Sequence, residues 1–505
     1  MNKSRINLRP FTLPMVGAAL LVSSCSMIPA YERPVAPVAG SYPSLAAGTG
    51  ITGGMAPEAV GIPSPQSAPT IAWQTFFADA RLQKLIDLAL VNNRDLRVAA
   101  LNIEQARAQY QIRRADQFPT LNGVLSGSRM PNASGGITSL YSAGVQATVY
   151  ELDFFGRVSS LKEAALNQYL ATQEGRQTTQ ITLIASVANT FLSLLADDEL
   201  LEITRQTLAT REESIRLSKL RFDNGVASEL DFRQAESLVE AARASYAQQR
   251  RQRALNENLL TLLVGSPLVD ELPTTAPAAS VALPLAQMQP MVDVHAGLPS
   301  ELLTSRPDIR QAEQLLLAAN ANIGAARAAF FPRIALTAAA GSASNQLSGL
   351  FKSGSWGWTF LPSLTLPIFD SGRNQANLET SKAARDIAVA QYEKAIQTAF
   401  REVADALASR TTLSEQLRAQ QAQANAESIR LRLSDLRYQN GVASYLDLLD
   451  AQRSLFTARQ AVVQTRLAQL QSQISLYRAL GGGWTEPAAG TVGSKAASPV
   501  LASKP

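Results

Sequence analysis

Leu220-Arg221-Phe222-Asp223-Asn224-Gly225-Val226-Ala227-Ser228 returns as Leu436-Arg437-Tyr438-Gln439-Asn440-Gly441-Val442-Ala443-Ser444, 216 residues further on. Each copy is a helix-forming run broken by Asn-Gly and followed by Ser. Asn and Gly tolerate the positive φ at which a helix ends, and Ser suits the cap of the next one. Outward from these turns, Gly156-Arg157 matches Gly372-Arg373 at the same spacing. Asp95-Leu96-Arg97, Arg114 and Phe118-Pro119 match Asp308-Ile309-Arg310, Arg327 and Phe331-Pro332 at a spacing of 213. Three ordered matches mark a duplicated subdomain, far longer than a solenoid repeat. A pseudo-symmetric tube follows more readily from this than an enzyme with one asymmetric cleft.

Between the matched blocks the period changes. Helical sequence from about 95 to 117 stops at Pro119. Strands are expected at about 120–129 and 141–153, where Tyr141, Ala143, Val145, Ala147 and Val149 alternate with Ser142, Gly144, Gln146, Thr148 and Tyr150. The second copy predicts strands at about 333–341 and 357–369, with Trp358, Phe360, Leu364, Leu366 and Ile368 on one face. Pro362 and Pro367 there remove ladder donors. Trp356 and Trp358 suit either a membrane interface or a packed core. Runs from about 157 to 222 and 373 to 438 contain no Pro, and each would reach on the order of 100 Å as a helix. Gly175 is the one soft spot in the first. Each returns into a second helix, about 229–264 and 445–480.

The ends read differently. Lys3, Arg5 and Arg9 precede a short apolar stretch, Phe11 to Val22, too short to span a bilayer as a helix. Val22-Ser23-Ser24-Cys25 is similar to a bacterial lipobox, which makes 1–24 a signal peptide and Cys25 a lipidated N-terminus. Ser26, in place of Asp, resembles an outer-membrane sorting signal. The formal charge of +5 then falls by those three cations, so the high pI is poor evidence for nucleic-acid binding. Cys25 is the only cysteine, which excludes an internal disulfide. Residues 25–70 form a Pro/Gly/Ala/Ser-rich extended tether. Residues 71–266 make the first repeat, 267–300 a linker or equatorial region, 301–484 the second repeat and 485–505 a flexible tail. No mature segment has about 18 uninterrupted apolar residues, so a chain that crosses a membrane must do so as a closed barrel.

Catalytic chemistry has little to work with. His295, the only histidine, lies in the linker, and one His with one lipidated Cys cannot build a His/Cys metal cluster. Ser159 and Lys162 make an S-x-x-K string without its usual partner motifs. Gly481-Gly482-Gly483 is a helix stop and not a phosphate loop. Among the acids near the turns, Asp231 and Asp447 stand three residues after Ser228 and Ser444, as in capping boxes. Asp450 has no such duty. It shares a helical face with Asp447, and Gln234 stands at its place in the first copy.

The lipobox, the duplicated strand pairs, the two Phe-Pro breaks, the twice-written Gly-Val-Ala-Ser-x-Leu-Asp and Tyr445-Leu446-Asp447-Leu448-Leu449-Asp450-Ala451-Gln452 together resemble the outer-membrane factors of tripartite RND-type efflux pumps. Among these the chain is most similar to the OprM-like lipoproteins of the TolC superfamily. The resemblance runs from about Cys25 to Trp484. It implies an α+β membrane protein in which three protomers each give four strands to one 12-stranded outer-membrane β-barrel, continued by a long periplasmic helical barrel with an equatorial domain. It implies a passive, trimeric, outer-membrane drug-export duct without enzymatic activity, working with a periplasmic adaptor (membrane fusion) protein and an inner-membrane RND pump. No cofactor is implied beyond N-acyl and S-diacylglycerol lipid on Cys25, and no nucleic-acid partner. By the same resemblance Leu446 and Asp450, with Asp447 and Asp231, form the periplasmic gate. Gly225, Val226, Ala227, Ser228, Gly441, Val442, Ala443 and Ser444 are the adaptor-docking tips, and Arg221 and Arg437 beside them are placed for inter-helix ionic contacts. A protein-secretion or metal-export duct of the same shape, or a periplasmic coiled-coil lipoprotein without a pore, remain alternatives.

Overall fold

The structure is a computed structural model that describes residues 26–43, 68–131, 135–267 and 299–484, with a few positions between 285 and 297. The expected signal peptide (1–24), Cys25, His295 and residues 485–505 lie outside the described residues. The chain divides into two compact units: residues 1–36, 100–174 and 308–395, and residues 37–99, 175–307 and 396–505.

The elements follow the duplication. The first copy runs α1 (Trp73–Phe76), α2 (Ala80–Asn92), α3 (Arg94–Ala115), β1 (Leu121–Pro131), β2 (Ile137–Leu152), α4 (Arg157–Asp223) and α5 (Glu229–Val264). The second runs α6 (Leu302–Ser305), α7 (Pro307–Ala328), β3 (Arg333–Ser344), β4 (Trp356–Thr365), α8 (Arg373–Gln439) and α9 (Tyr445–Ala479). α4 and α8 are each 67 residues long, and Gly175 does not interrupt α4. Each starts on an aspartate. Asp153 accepts from the Val158 and Ser159 amides at 3.0 and 2.6 Å, and Asp370 accepts from Gly372 and Asn374 at 3.0 and 2.9 Å. Ser159 is thus an ordinary first-turn residue. Many hydroxyls inside α4 and α8 bond the carbonyl four residues back, as Thr204 does to Leu200 at 2.7 Å. This lets polar side chains sit in helix contacts without an unmet donor.

The first unit contains a four-stranded antiparallel sheet in the order β1-β2-β3-β4. The register gives it two chemically distinct faces. Leu121, Leu125, Tyr141, Ala143, Val145, Ala147, Leu336, Ala338, Ala340, Trp356, Trp358, Phe360 and Leu364 share one. Asn122, Ser126, Ser142, Gln146, Thr337, Thr359 and Ser363 lie on the other, with Val124, Met130, Leu140, Leu361, Ala335, Ala339 and Ala343 as apolar members. Ser126 and Ser142 meet there at 2.7 Å.

The simple alternation expected for β2 ends at a bulge. Pairing with β3 shifts between Ala147 and Tyr150, and Val149 takes a φ of 46°. One extra residue reverses the phase of a strand. Tyr150 and Leu152 therefore pair with Leu336 and Ile334 on the apolar face, not the polar one. Glu151 turns instead to the polar side. There it accepts two bonds from Arg157, both 2.7 Å, and one from Arg333 at 2.5 Å. β4 also ends earlier than expected, at Thr365, because Pro367 has no amide to continue the ladder. Pro362 also falls within β4, which has a strand neighbour on one side only within the chain. β1, β2 and β3 start or end two to four residues away from their expected limits.

The tether is not wholly free. Beyond Cys25, residues 27–33 are strapped to α7. Glu313 accepts from the Tyr31 hydroxyl at 3.0 Å and from Arg33 at 2.8 and 2.7 Å. Asn320 donates to the Pro29 carbonyl at 2.9 Å. Gly324 makes the close approach possible, since a Cβ there would stand 2.6 Å from Ile28.

The second unit is helical. Phe76 stacks on Tyr477 with ring centroids 4.0 Å apart, and the Tyr477 hydroxyl donates to the Ile71 carbonyl at 2.6 Å. The glycine run does more than stop α9. A Cβ on Gly482 would meet the Tyr477 ring, and one on Gly481 would stand 2.7 Å from the Ser305 carbonyl. On α2 the buried face is Leu82, Leu85, Ile86 and Ala89, while Leu90 is only half-buried. Among the described residues one helix, α4, carries a stretch apolar enough by composition to cross a membrane, and 67% of it is buried inside the protein. It is a packed core segment.

Candidate functional site

The two helix turns are built alike, atom for atom. In the first, the Gly225 amide donates to the Phe222 carbonyl at 2.9 Å and the Val226 amide to Arg221 at 2.8 Å. In the second, Gly441 donates to Tyr438 at 3.0 Å and Val442 to Arg437 at 2.8 Å. Both glycines sit at positive φ, 65° and 71°, with open space where a side chain would go. This is a left-handed helix ending that satisfies the last carbonyls of the incoming helix. The next helix begins at once, because Ser228 and Ser444 close capping boxes with Asp231 and Asp447. Asp231 and Asp447 thus serve as caps of their own helices. Val226, Val442 and the first-turn residues Leu230 and Leu446 remain exposed, all above 60%. Each turn therefore presents apolar side chains on a rigid polar frame.

Asp450 has more company than its sequence position indicates. It accepts from Arg430 of α8 at 2.5 Å and from Arg453 of α9 at 2.7 Å. Arg430 also bonds Glu427 at 3.2 Å and Ser454 at 3.4 Å. Two carboxylates and two guanidiniums make a neutral cluster across the α8–α9 hairpin. Hydrogen bonds from Arg430, then Arg453, hold the Asp450 carboxyl below the usual aspartate range. Asp450 is thus not a bare charge within its own chain. In the first copy Ser214, Gln234 and Ser237 stand at the corresponding places, so only the second hairpin carries the cluster.

Arg221 does not make the expected ionic contact. Its guanidinium lies over the Tyr438 ring, 5.1 Å from the centroid, and hydrogen-bonds the phenol oxygen. This joins the two hairpins near their turns. Neither Arg221 nor Arg437 forms an ion pair among the described residues. Arg453 was detectable in sequence as the i+3 neighbour of Asp450. Arg430 and Tyr438 reach their partners only through helix packing, and no local pattern marks them.

The comparisons agree with this architecture. The family model described as "Outer membrane efflux protein" matches residues 85–266 and 298–482. The antibiotic efflux pump outer membrane protein ArpC of Pseudomonas putida is 47% identical over 486 residues, covering 94% of this chain and 96% of its own. The solvent efflux pump outer membrane protein SrpC of the same organism is 47% identical over 481 residues, covering 94% of this chain and 98% of its own. The MtrE outer membrane channel of Neisseria gonorrhoeae, solved in its open state, superposes with a TM-score of 0.79 at 42% identity, over 91% of this chain and 99% of that one. A family of outer-membrane channels, and not of enzymes, is thus matched by both copies of the repeat, and this chain belongs to the outer membrane efflux protein family.

Proposed function

We propose that three copies of this chain form the outer-membrane duct of a tripartite multidrug efflux system, a passive conduit for drugs and other toxic small molecules. The observation that carries this reading is the sheet. It has one apolar and one largely polar face, kept in phase by the bulge at Val149, and two edges that pair with nothing among the described residues. Open strand edges are not tolerated in hydrocarbon, and four strands cannot close a barrel. Three chains supply twelve, enough to enclose a lumen. The apolar face then meets lipid, with Trp356 and Trp358 at its interface, and the polar face lines the pore. A non-pore helical scaffold has no use for such a sheet.

The relatives are named as outer membrane proteins of antibiotic and solvent efflux pumps, which supports apolar and amphipathic small molecules as cargo. An inner-membrane RND pump would supply the drive. A periplasmic adaptor would dock on the paired turns, whose exposed Val226 and Val442 offer apolar contact. The duct carries out no bond chemistry. Leu446, exposed on α9, and Asp450 one turn beyond it form the constriction in this reading, with Arg430 as the latch that keeps Asp450 in place. Cys25 carries the lipid, and the strap on α7 holds the segment just beyond it.

Single-channel conductance of the reconstituted protein, with mass by light scattering, tests the reading. A trimer with small, flickering currents is expected. A monomer without conductance, also in Asp450→Ala/Leu446→Ala, would return the chain to a helical scaffold. Cys25→Ala should weaken membrane attachment before assembly, checked by fractionation of the folded trimer.

A further inference from the structure

Arg211 is a buried cation without a counter-ion. It is 6% exposed, in the last quarter of α4, and its one hydrogen bond among the described residues runs from Nη1 to the Leu238 carbonyl at 3.1 Å. Its guanidinium lies over the Phe456 ring, 5.6 Å from the centroid. Its Nε–H is buried with no partner. Among the described residues no carboxylate pairs with it. Neighbouring acids are engaged elsewhere: Glu212 with Arg243, Glu213 with Arg216 and Glu427 with Arg430. An unpaired charge in such a place is costly, and removing one partner of a buried pair typically destabilises a protein.

Beside Arg211 is a cavity of about 140 Å³. α4 contributes Arg211, α8 contributes Leu431, and α9 contributes Gln452, Phe456 and a second cation, Arg459. Arg459 has no ion pair among the described residues either. The Gln452 side-chain oxygen, an acceptor, is buried without a partner. Thr207 and Thr210, also in the wall, direct their hydrogens to carbonyls and leave lone pairs only. The free donors are therefore those of the guanidiniums. They converge from the two hairpins on a space the size of a small anion.

We propose that this cavity is a binding site for a small oxyanion of the sulfate, phosphate or carboxylate class, held by Arg211 and Arg459. Planar guanidinium forks match two oxygens of such ions, and Leu431, Leu455 and Phe456 give the half-open cleft its apolar walls. A bound anion would tie α4 to α9 and raise the stability of the paired hairpins.

The test is thermal unfolding of the purified full-length protein as sodium chloride is replaced by sodium sulfate, then by inorganic phosphate, at matched ionic strength. Sulfate also stabilises proteins generally by exclusion, an effect that rises without saturating. The wild type should show a saturable rise above that background. Arg211→Gln should retain the background and lose the saturable part. Arg459→Gln, at an exposed position that does not threaten folding, should shift half-saturation to severalfold higher anion. A wild type with only the unsaturating rise, shared by both variants, overturns the proposal, as does a saturable rise that both variants keep. The proposal does not depend on pore formation, since the readout is stability and not current.

Discussion

Arg430 of α8 and Asp450 of α9 stand 2.5 Å apart, and Arg453 meets the other oxygen of the same carboxylate at 2.7 Å. The contact joins the two arms of the second hairpin and has no counterpart in the first. In the proposed duct, a constriction built on Asp450 would be held by this cluster. The arms of the first hairpin are joined by other pairs, Glu212 with Arg243 at 3.1 Å and Asp198 with Arg253 at 2.5 Å.

Asp450→Ala with Leu446→Ala should raise open probability severalfold in planar bilayers, and Arg430→Ala alone should do so in the same direction. Correctly folded trimers of both variants with wild-type currents would remove the gate from this cluster.

The pH response follows from the direction of the Asp450 shift. Its folded-state pKa is lowered, so the ion pairs are fully present above the unfolded value, about 3.9, and are lost as pH falls through the lower folded value. Currents should be flat from pH 7 to about 5 and increase only below about 4. Asp450→Asn should abolish that acid step. A midpoint near neutrality would point to another group.

Gly144 and Gly341 face each other across β2 and β3. A Cβ on Gly144 would stand 2.5 Å from the Ala340 carbonyl oxygen, and one on Gly341 would run into that of Ala143. Gly144→Val or Gly341→Val should destabilise the sheet by about 1–3 kcal/mol, the usual range for overpacking, and reduce the heat-modifiable trimer on gels. Gly123→Ala is the control, since nothing lies within 4 Å of its Cβ position. Equal trimer yields from all three would argue against the close approach.

Glu313 is the anchor of the strap. Glu313→Gln keeps its shape and weakens both Arg33 bonds; Gly324→Val displaces Ile28. Either should increase amide hydrogen exchange over residues 27–33, leaving the sheet protected. Because Arg33 is 47% exposed, the stability change for Glu313→Gln should stay within about 1 kcal/mol. Unaltered exchange in both variants would mean the strap is held by something else.

Much of this protein was written locally. The Asn-Gly turns, the Ser-Asp capping boxes, the Phe-Pro breaks and the Pro-free helical runs act through neighbours three or four residues away. The ends of α4, α5, α8 and α9 therefore lay within a residue or two of their expected places, and the duplication was visible in the order of residues alone. Other features depend on residues distant in the chain. The phase of β2 could not be read past Ala147, because a bulge is decided by what β3 offers opposite, and only pairing with Leu336 and Ile334 shows Glu151 turning inward to Arg157 and Arg333. The docking of the 27–33 segment depends on a glycine nearly 300 residues later. Asp450 looked like a free acid because Arg430 lies on another helix, brought near by the packing of α8 against α9. Nothing in the sequence around Arg211 sets it apart from the other arginines of α4. Only the tertiary structure could bury it, since burial and the absence of a counter-charge are properties of the surroundings that several helices create together.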